Sequence, residues 1–187
     1  IDLGVVADTR DAVEDAFRRA AAEGDAIVTS GGVSVGEADF VTETLERTGE
    51  VHFWKVAIKP GRSLAFGRVA GTLFFGLPGN PVSVMATFYQ IVQPALERLA
   101  GNADVDPTLR LEATCESELR KKPGRLEVQR GILRQEPDGG YTVRTTGLQG
   151  SGVLSSMGRA NCFIILPLEQ GRVAAGERVI VQPFRGL

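Results

Sequence analysis

The sequence predicts two units of different class. Residues 1–101 read as a three-layer α/β/α domain on a mainly parallel sheet. Residues 102–187 read as a small all-β, barrel-like domain. Three observations carry this. Short apolar runs alternate with helical periods as far as Gly101; beyond it only β-rich runs occur; and the breakers Gly101, Asn102, Asp104 and Pro107 cluster where the character changes. Repeated β-α-β units imply right-handed crossovers and a sheet covered on both faces, with ligands at the carboxyl ends of its strands.

In order, Leu3 to Ala7 is a short apolar strand, and Asp8 or Thr9 can cap the helix that follows. Val13, Ala16, Phe17, Ala20 and Ala21 recur at helical spacing, and Gly24 suits the stop. AIVTS is the second strand. Phe40, Val41, Thr44 and Leu45 mark the second helix, ended by Gly49. VHFWKVAIK reads as one strand, and SLAFG and TLFFGL as two more around a turn at Ala70-Gly71. Asn80-Pro81 opens a long helix, Asn being a good N-cap and Pro suiting the first helical position. Pro94 is expected to kink or break that helix, and Gly101 closes it. In the second half LRLEAT, RLEVQRGIL, YTVRTT, CFIILP and RVIVQPF are strands, PDGG is a hairpin turn, and no helix is expected.

Composition excludes several classes. A net charge of −2 gives no bulk attraction to nucleic acid or to a membrane surface. No apolar run approaches the ~20 residues of a membrane span, and no signal peptide is visible, so a cytoplasmic protein is expected. Cys115 and Cys162 match no metal spacing and read as buried thiols. The single histidine, His52, sits in an apolar, aromatic run and reads as a strand residue rather than a general base, which argues against a His-based triad. The chain opens on Ile1 in a strand already under way, so a further N-terminal region is expected.

The loop SGGVSVGEAD follows the second strand. Gly31, Gly32 and Gly36 permit close backbone approach, Ser30 and Ser34 add hydroxyls, and a helix N-terminus follows. A capped β-α turn explains the same residues structurally. Glu37 suits the helix dipole. Asp39, with Asp8 expected at the same edge, makes sense opposite a phosphate if a divalent cation lies between them. Mg²⁺ is commonly held by one or two carboxylates and phosphate oxygens.

With a strand period of two, Val51, Phe53, Lys55, Ala57 and Lys59 share one face, with the two lysines roughly 13 Å apart. Two lysines on one face of a central strand fit two charged parts of an extended anion; the alternative is that a sheet edge leaves both solvated. Arg62 adds a third cation. In LPGNPVS, Pro78-Gly79-Asn80-Pro81 leads into a second helix N-terminus, where Ser83 could add a hydroxyl. These features describe a polyanion site suited to a phosphorylated or nucleotidyl ligand with bound metal.

SGGVSVGEADF, FWKVAIKPGRSLAFG and FGLPGNPVSVMATF, in this order, closely resemble the molybdopterin molybdenumtransferase family, which includes bacterial MoeA and the E domains of gephyrin. PGRLEVQRG and TTGLQGSGVLSSM resemble its C-terminal domain. The resemblance implies molybdenum cofactor biosynthesis: molybdenum from molybdate is inserted into adenylylated molybdopterin, with Mg²⁺-assisted release of AMP. It assigns Asp8, Asp39, Lys55, Lys59, Pro78 and Pro81 to the active site, and Asp8 and Asp39 are expected to position Mg²⁺ or to orient a water at the phosphoanhydride. Ser34, Arg62 and Ser83 match positions that bind pterin phosphate or molybdate, and Arg130 and Ser151 match further contacts in the β half; Ser30, Gly31, Gly32, Gly36, Gly79 and Asn80, read above as loop residues, are expected to bind beside them. Full-length members are homodimers with further N-terminal regions, one of which completes the active site across the dimer. This chain is expected to lack those regions and the opening strand-helix of its first domain, and therefore to be incomplete for catalysis. Competing readings are the molybdopterin adenylyltransferase that shares the α/β fold, a non-catalytic scaffold of the gephyrin E-domain kind, and a generic nucleotide-binding module.

Overall fold

The computed structural model describes residues 1–32, 40–102 and 109–184. They form two units: Ile1–Val56 with Gly61–Leu96, and Ala57–Pro60 with Glu97–Leu187.

In the first unit, helix α1 (Arg10–Glu23) buries Val13 and Phe17, the predicted stripe. Thr9 takes the N-cap position without a side-chain cap bond. Strand β1 (Ala26–Ser30) follows, then helix α2 (Phe40–Thr48), which buries Thr44 and Leu45. Strands β2 (Gly49–Lys55), β4 (Ser63–Val69) and β5 (Thr72–Leu77) complete a sheet of order β1-β5-β4-β2. Strand β3 (Ile58–Lys59) lies between β2 and β4 in sequence but belongs to the second unit.

Core packs on both faces of this sheet. Phe74 joins Val13, Phe17, Ile27 and Leu45 on one, with the Phe17 and Phe74 rings edge to face at 5.6 Å. Phe75 joins Leu64, Leu77 and Val92 on the other. Helix α3 (Pro81–Thr87), a π-helical turn at Phe88–Val92 and helix α4 (Gln93–Leu99) form one continuous rod. Pro94 therefore sits just past the π turn. A proline lacks an N–H and crowds the carbonyl four residues earlier, and a π turn is one way for a helix to absorb this.

Three expectations change in this unit. Leu3–Ala7 is not a strand: Gly4 has a φ of 71°, its N–H is taken by the Asp2 carboxylate at 2.7 Å, and Val5 is fully exposed. A strand needs ladder partners, and this segment has none among the described residues. The sheet is mixed rather than mainly parallel, because β4 pairs antiparallel with both β5 and β2 and only β1–β5 is parallel. The turn chemistry explains it: Ala70 and Gly71 both have positive φ (49° and 85°), the two-residue geometry of an antiparallel hairpin. Finally, VHFWKVAIK is not one strand. The chain leaves the first sheet after Lys55, which ends an edge strand rather than a central one, and Lys59 joins a different sheet.

The second unit contains β3, β6 (Leu111–Cys115), β7 (Leu126–Gln135), β8 (Tyr141–Thr145), helix α5 (Ser155–Arg159), β9 (Cys162–Leu166) and β10 (Arg178–Pro183). Pairings run β7-β8-β6-β10-β9 and return from β9 to β7, closing a ring; β3 adds to β7 in parallel outside it. Closure removes free sheet edges. The long strand β7 pairs first with β9 and then with β8, changing partner at Gly131. A Cβ there would stand 2.8 Å from the Cys162 sulfur and 2.9 Å from Val143, so only glycine fits this corner. The five residues of α5 are the one helix among the described residues beyond Gly101, where none was expected. Both cysteines are free and buried in the barrel core. No helix among the described residues is long and apolar enough to cross a membrane.

Candidate functional site

Strands β1, β5 and β2 run in one direction and β4 in the other, so the carboxyl ends of three strands and the start of the fourth share one edge. Ser30 pairs in register with Leu77, and the chain leaves the sheet at adjacent points, through Gly31 and Pro78. The Gly31 N–H donates to the Leu77 carbonyl at 3.0 Å. A Cβ placed on Gly79 would lie 3.6 Å from the Gly31 Cα, so the two glycine loops touch backbone to backbone. Gly32 has a φ of 69°, and a Cβ there would run into the Val41 side chain at 2.6 Å. Its carbonyl accepts a hydrogen bond from the Thr42 hydroxyl at 3.2 Å, which ties the loop to the first turn of α2. Ser34, Gly36 and Asp39, with Glu37, lie outside the described residues.

The second loop leads to Asn80 as N-cap and Pro81 as first helical residue of α3. The Asn80 carbonyl accepts from the Val84 N–H at 2.9 Å, while its side-chain Oδ1 is buried without a partner. Ser83 is 6% exposed, so its hydroxyl is enclosed rather than presented at the surface. Gly61 packs on the same helix: a Cβ there would meet the Thr87 hydroxyl at 2.4 Å. Thr87 Oγ1 and Thr29 Oγ1 are also buried without partners. Buried polar atoms left unpaired are rare, and of these three Thr29 Oγ1 and Asn80 Oδ1 belong to residues beside the two loops, whereas Thr87 ends α3.

Lys55 and Arg62 stand at this edge, close in the ladder because Lys55 pairs with Ser63. Both are exposed, and neither has an ion pair among the described residues. The adjacent strands β1 and β5 thus bring together Ser30, Gly31, Gly32, Pro78, Gly79 and Asn80, with Pro81 exposed at the helix start, while Lys55 and Arg62 lie along the same sheet edge at β2 and β4. Asp8 is exposed, in the bend before α1 rather than at a strand end.

In the second unit the Lys59 ammonium donates to Glu127 Oε2 at 3.2 Å. Arg130 differs from its expected part as a ligand contact. Its side chain is fully buried, with Nε on the Ser156 hydroxyl at 2.9 Å and the terminal nitrogens on the carbonyls of Leu148 (3.3 Å), Gln149 (3.2 Å) and Gly150 (3.0 Å). Gln149 reciprocates: its amide oxygen accepts from the Arg130 N–H at 2.8 Å and its amide nitrogen donates to the Arg130 carbonyl at 3.1 Å. Arg130 therefore shapes the loop whose next residue is Ser151, which is itself half-buried. Burial lowers the Arg130 pKa, and the charge of Glu127 opposes that shift. Sequence reasoning missed Glu127, Gln149 and Ser156. A charged and an amide residue at strand spacing in the run LEVQRG was the available signal for the first.

An open apolar cleft of about 290 Å³ in the first unit is lined by Trp54, Leu64, Phe66, Phe75 and neighbours, and includes no predicted site residue. Among the described residues no three His, Cys, Asp or Glu side chains assemble as a metal cage. A Mg²⁺ shared with phosphate oxygens needs only one or two carboxylates, and Asp8 has no hydrogen bond or ion pair among the described residues.

Two glycine loops at one edge of an α/β sheet, in a chain that continues into a ring of paired β-strands, define a two-unit α/β-plus-barrel-like protein. The comparisons give the family. Residues 1–98 match the family described as "Probable molybdopterin binding domain", and the chain belongs to it; residues 112–184 match the "MoeA C-terminal region (domain IV)". A molybdopterin molybdenumtransferase from Haemophilus influenzae is 46% identical over 100% of this chain and 46% of its own length. One from Nostoc is 32% identical over 96% of this chain and 42% of its own. A Pyrococcus horikoshii molybdopterin biosynthesis MoeA protein superposes with a TM-score of 0.78 at 29% identity, covering 98% of this chain and 43% of that one. The chain spans about half the length of the curated relatives it matches.

Proposed function

We propose that this chain carries the pterin-nucleotide and molybdate machinery of a molybdopterin molybdenumtransferase. The juxtaposition of Gly31 and Gly79 at one sheet edge is the observation that carries the reading. In it, Ser30, Gly31, Gly32, Ser34 and Gly36 hold the phosphate region of adenylylated molybdopterin, with Gly79, Asn80 and Ser83 alongside, Ser83 through its first-turn backbone N–H rather than its enclosed hydroxyl. Lys55 and Arg62 neutralise phosphate charge, and Pro78 and Pro81 fix the backbone from which the α3 donors project. Lys59, in the other unit, is assigned to an oxyanion, and Ser151 to a contact from the loop that Arg130 braces. Asp8 and Asp39 are the residues that would hold Mg²⁺, which when bound supplies charge neutralisation at the phosphoanhydride. Water attacks phosphorus, the anhydride P–O bond breaks and AMP leaves; molybdate, a substrate, exchanges Mo–O bonds for two Mo–S bonds to the dithiolene, the displaced oxygen leaving as water with the thiol protons. No covalent protein nucleophile is needed. A cytoplasmic, homodimeric protein belongs to the same proposal.

The test uses the longest natural form of the protein. Asp39→Asn is expected to lower molybdate-dependent AMP release by about a hundredfold or more while pterin-nucleotide binding changes little, the pattern of a lost transition-state interaction. Unchanged AMP release overturns the assignment. ATP-dependent adenylylation of molybdopterin by the unmodified protein would favour the adenylyltransferase instead.

A further inference from the structure

We infer that Glu127, braced by Gln129, is a positioning residue that sets the direction of the Lys59 ammonium; the inference rests on the reading of Lys59 as a lysine of the anion site. Lys59 and Glu127 are register partners in the parallel pair β3–β7. The Lys59 side chain is 49% exposed and that of Glu127 8%. One carboxylate oxygen, Oε2, accepts from Lys59 at 3.2 Å. The other, Oε1, accepts from the amide of Gln129 at 2.9 Å, and Gln129 is 4% exposed. Both oxygens of a buried carboxylate are thus matched, the condition under which such a group is tolerated.

An exposed ion pair holds little, because two long side chains must both be immobilised. Here one partner is already immobile, set in a strand and clamped from behind. Arg130, next but two along β7, does not compete for the carboxylate; its bonds go to Ser156 and to the 148–150 loop. The lysine stem is flexible and its ammonium has three donors. Glu127 engages one and leaves two for the oxygens of a tetrahedral oxyanion, with part of the ordering cost met before the ligand arrives. Lys55 is the internal comparison: exposed, with no ion pair among the described residues.

The experiment measures ¹³C relaxation at the Lys59 and Lys55 Cε positions in the purified chain, followed by titration with inorganic molybdate. Lys59 is expected to be the more ordered of the two. Glu127→Gln and Glu127→Ala should bring it to the level of Lys55, and Glu127→Asp should retain part of the order. Gln129→Met, which frees the carboxylate without removing it, should have a smaller effect of the same sign and serves if the Glu127 variants do not fold. Molybdate affinity is expected to fall about three- to tenfold in Glu127→Ala and in Lys59→Ala, with the double variant no weaker than either single one, the signature of coupled residues. Unchanged Lys59 order in folded variants, or additive losses of affinity, overturns the inference. Loss of order on substitution, with no Lys59 response to molybdate in the unmodified chain, supports the positioning by Glu127 and overturns the anion-site reading instead.

Discussion

Cys162 shows how much a single side chain takes from its surroundings. Burial in the barrel core pushes its pKa from 9.0 up to about 12, against a smaller lowering by a backbone hydrogen bond at Leu133. The raised value means the folded state favours the thiol. Stability is therefore intact below about pH 9, where the unfolded thiol is also protonated, and declines as pH rises through the interval to about 12. The expected slope is about 1.4 kcal/mol per pH unit within that window at most. Urea denaturation across this range should show the fall, and Cys162→Ala should remove that part of it. At pH 8 the folded chain should resist a thiol-directed alkylating agent at Cys162 and accept it once unfolded. Arg130 makes the opposite point: a sequence motif placed it at a ligand, whereas the fold uses its donors on three carbonyls of residues 148–150 and on the Ser156 hydroxyl. No local pattern distinguishes an arginine that meets an anion from one that meets carbonyls.

At the scale of elements, those bonds make the segment from Leu148 to Ser156 a built loop rather than a slack connection. Arg130→Met keeps much of the volume but takes the guanidinium donor from the Leu148 and Gln149 carbonyls and the Ser156 hydroxyl, while the Gly150 carbonyl keeps the Val153 N–H at 3.2 Å. The expected cost is about 3 kcal/mol, measured by chemical denaturation, because a buried network loses its central member. Arg130→Lys should recover little, since an ammonium cannot span the fork of acceptors. The strands fared differently. AIVTS, SLAFG, TLFFGL and the five runs of the second half form where the pattern puts them. VHFWKVAIK did not stay whole, because periodicity reports which residues face alike and is silent on which sheet receives them. The Ala70-Gly71 turn was visible in the sequence, and its hairpin chemistry already argued for the antiparallel pairing that the β-α-β rhythm obscured.

At the scale of the whole molecule, the second unit takes Ala57–Pro60 from the middle of the first. The ring β7-β8-β6-β10-β9 closes without β3. A fragment of residues 97–187 is therefore expected to fold. It lacks the Ala57 carbonyl that accepts from the Leu126 N–H at 2.9 Å, so amide exchange at Leu126 should be faster in the fragment than in the full chain. Equal exchange at Leu126 would show that β3 adds nothing to the end of β7.

The sequence by itself determined the two-class organisation, most strands and helices, and the two glycine loops. These depend on the period of apolar residues and on the backbone demands of Gly, Pro and Asn, which are local properties. The family resemblance was legible for the same reason, since its motifs are contiguous. Only the tertiary structure decided that Lys55 and Lys59 part company, that Leu3–Ala7 finds no ladder, that Arg130 is enclosed, and that Glu127 stands behind Lys59. Each of these is a pairing between segments distant in sequence. Pairing is settled by which partner completes a hydrogen-bond ladder or neutralises a buried charge, and no single segment contains that information.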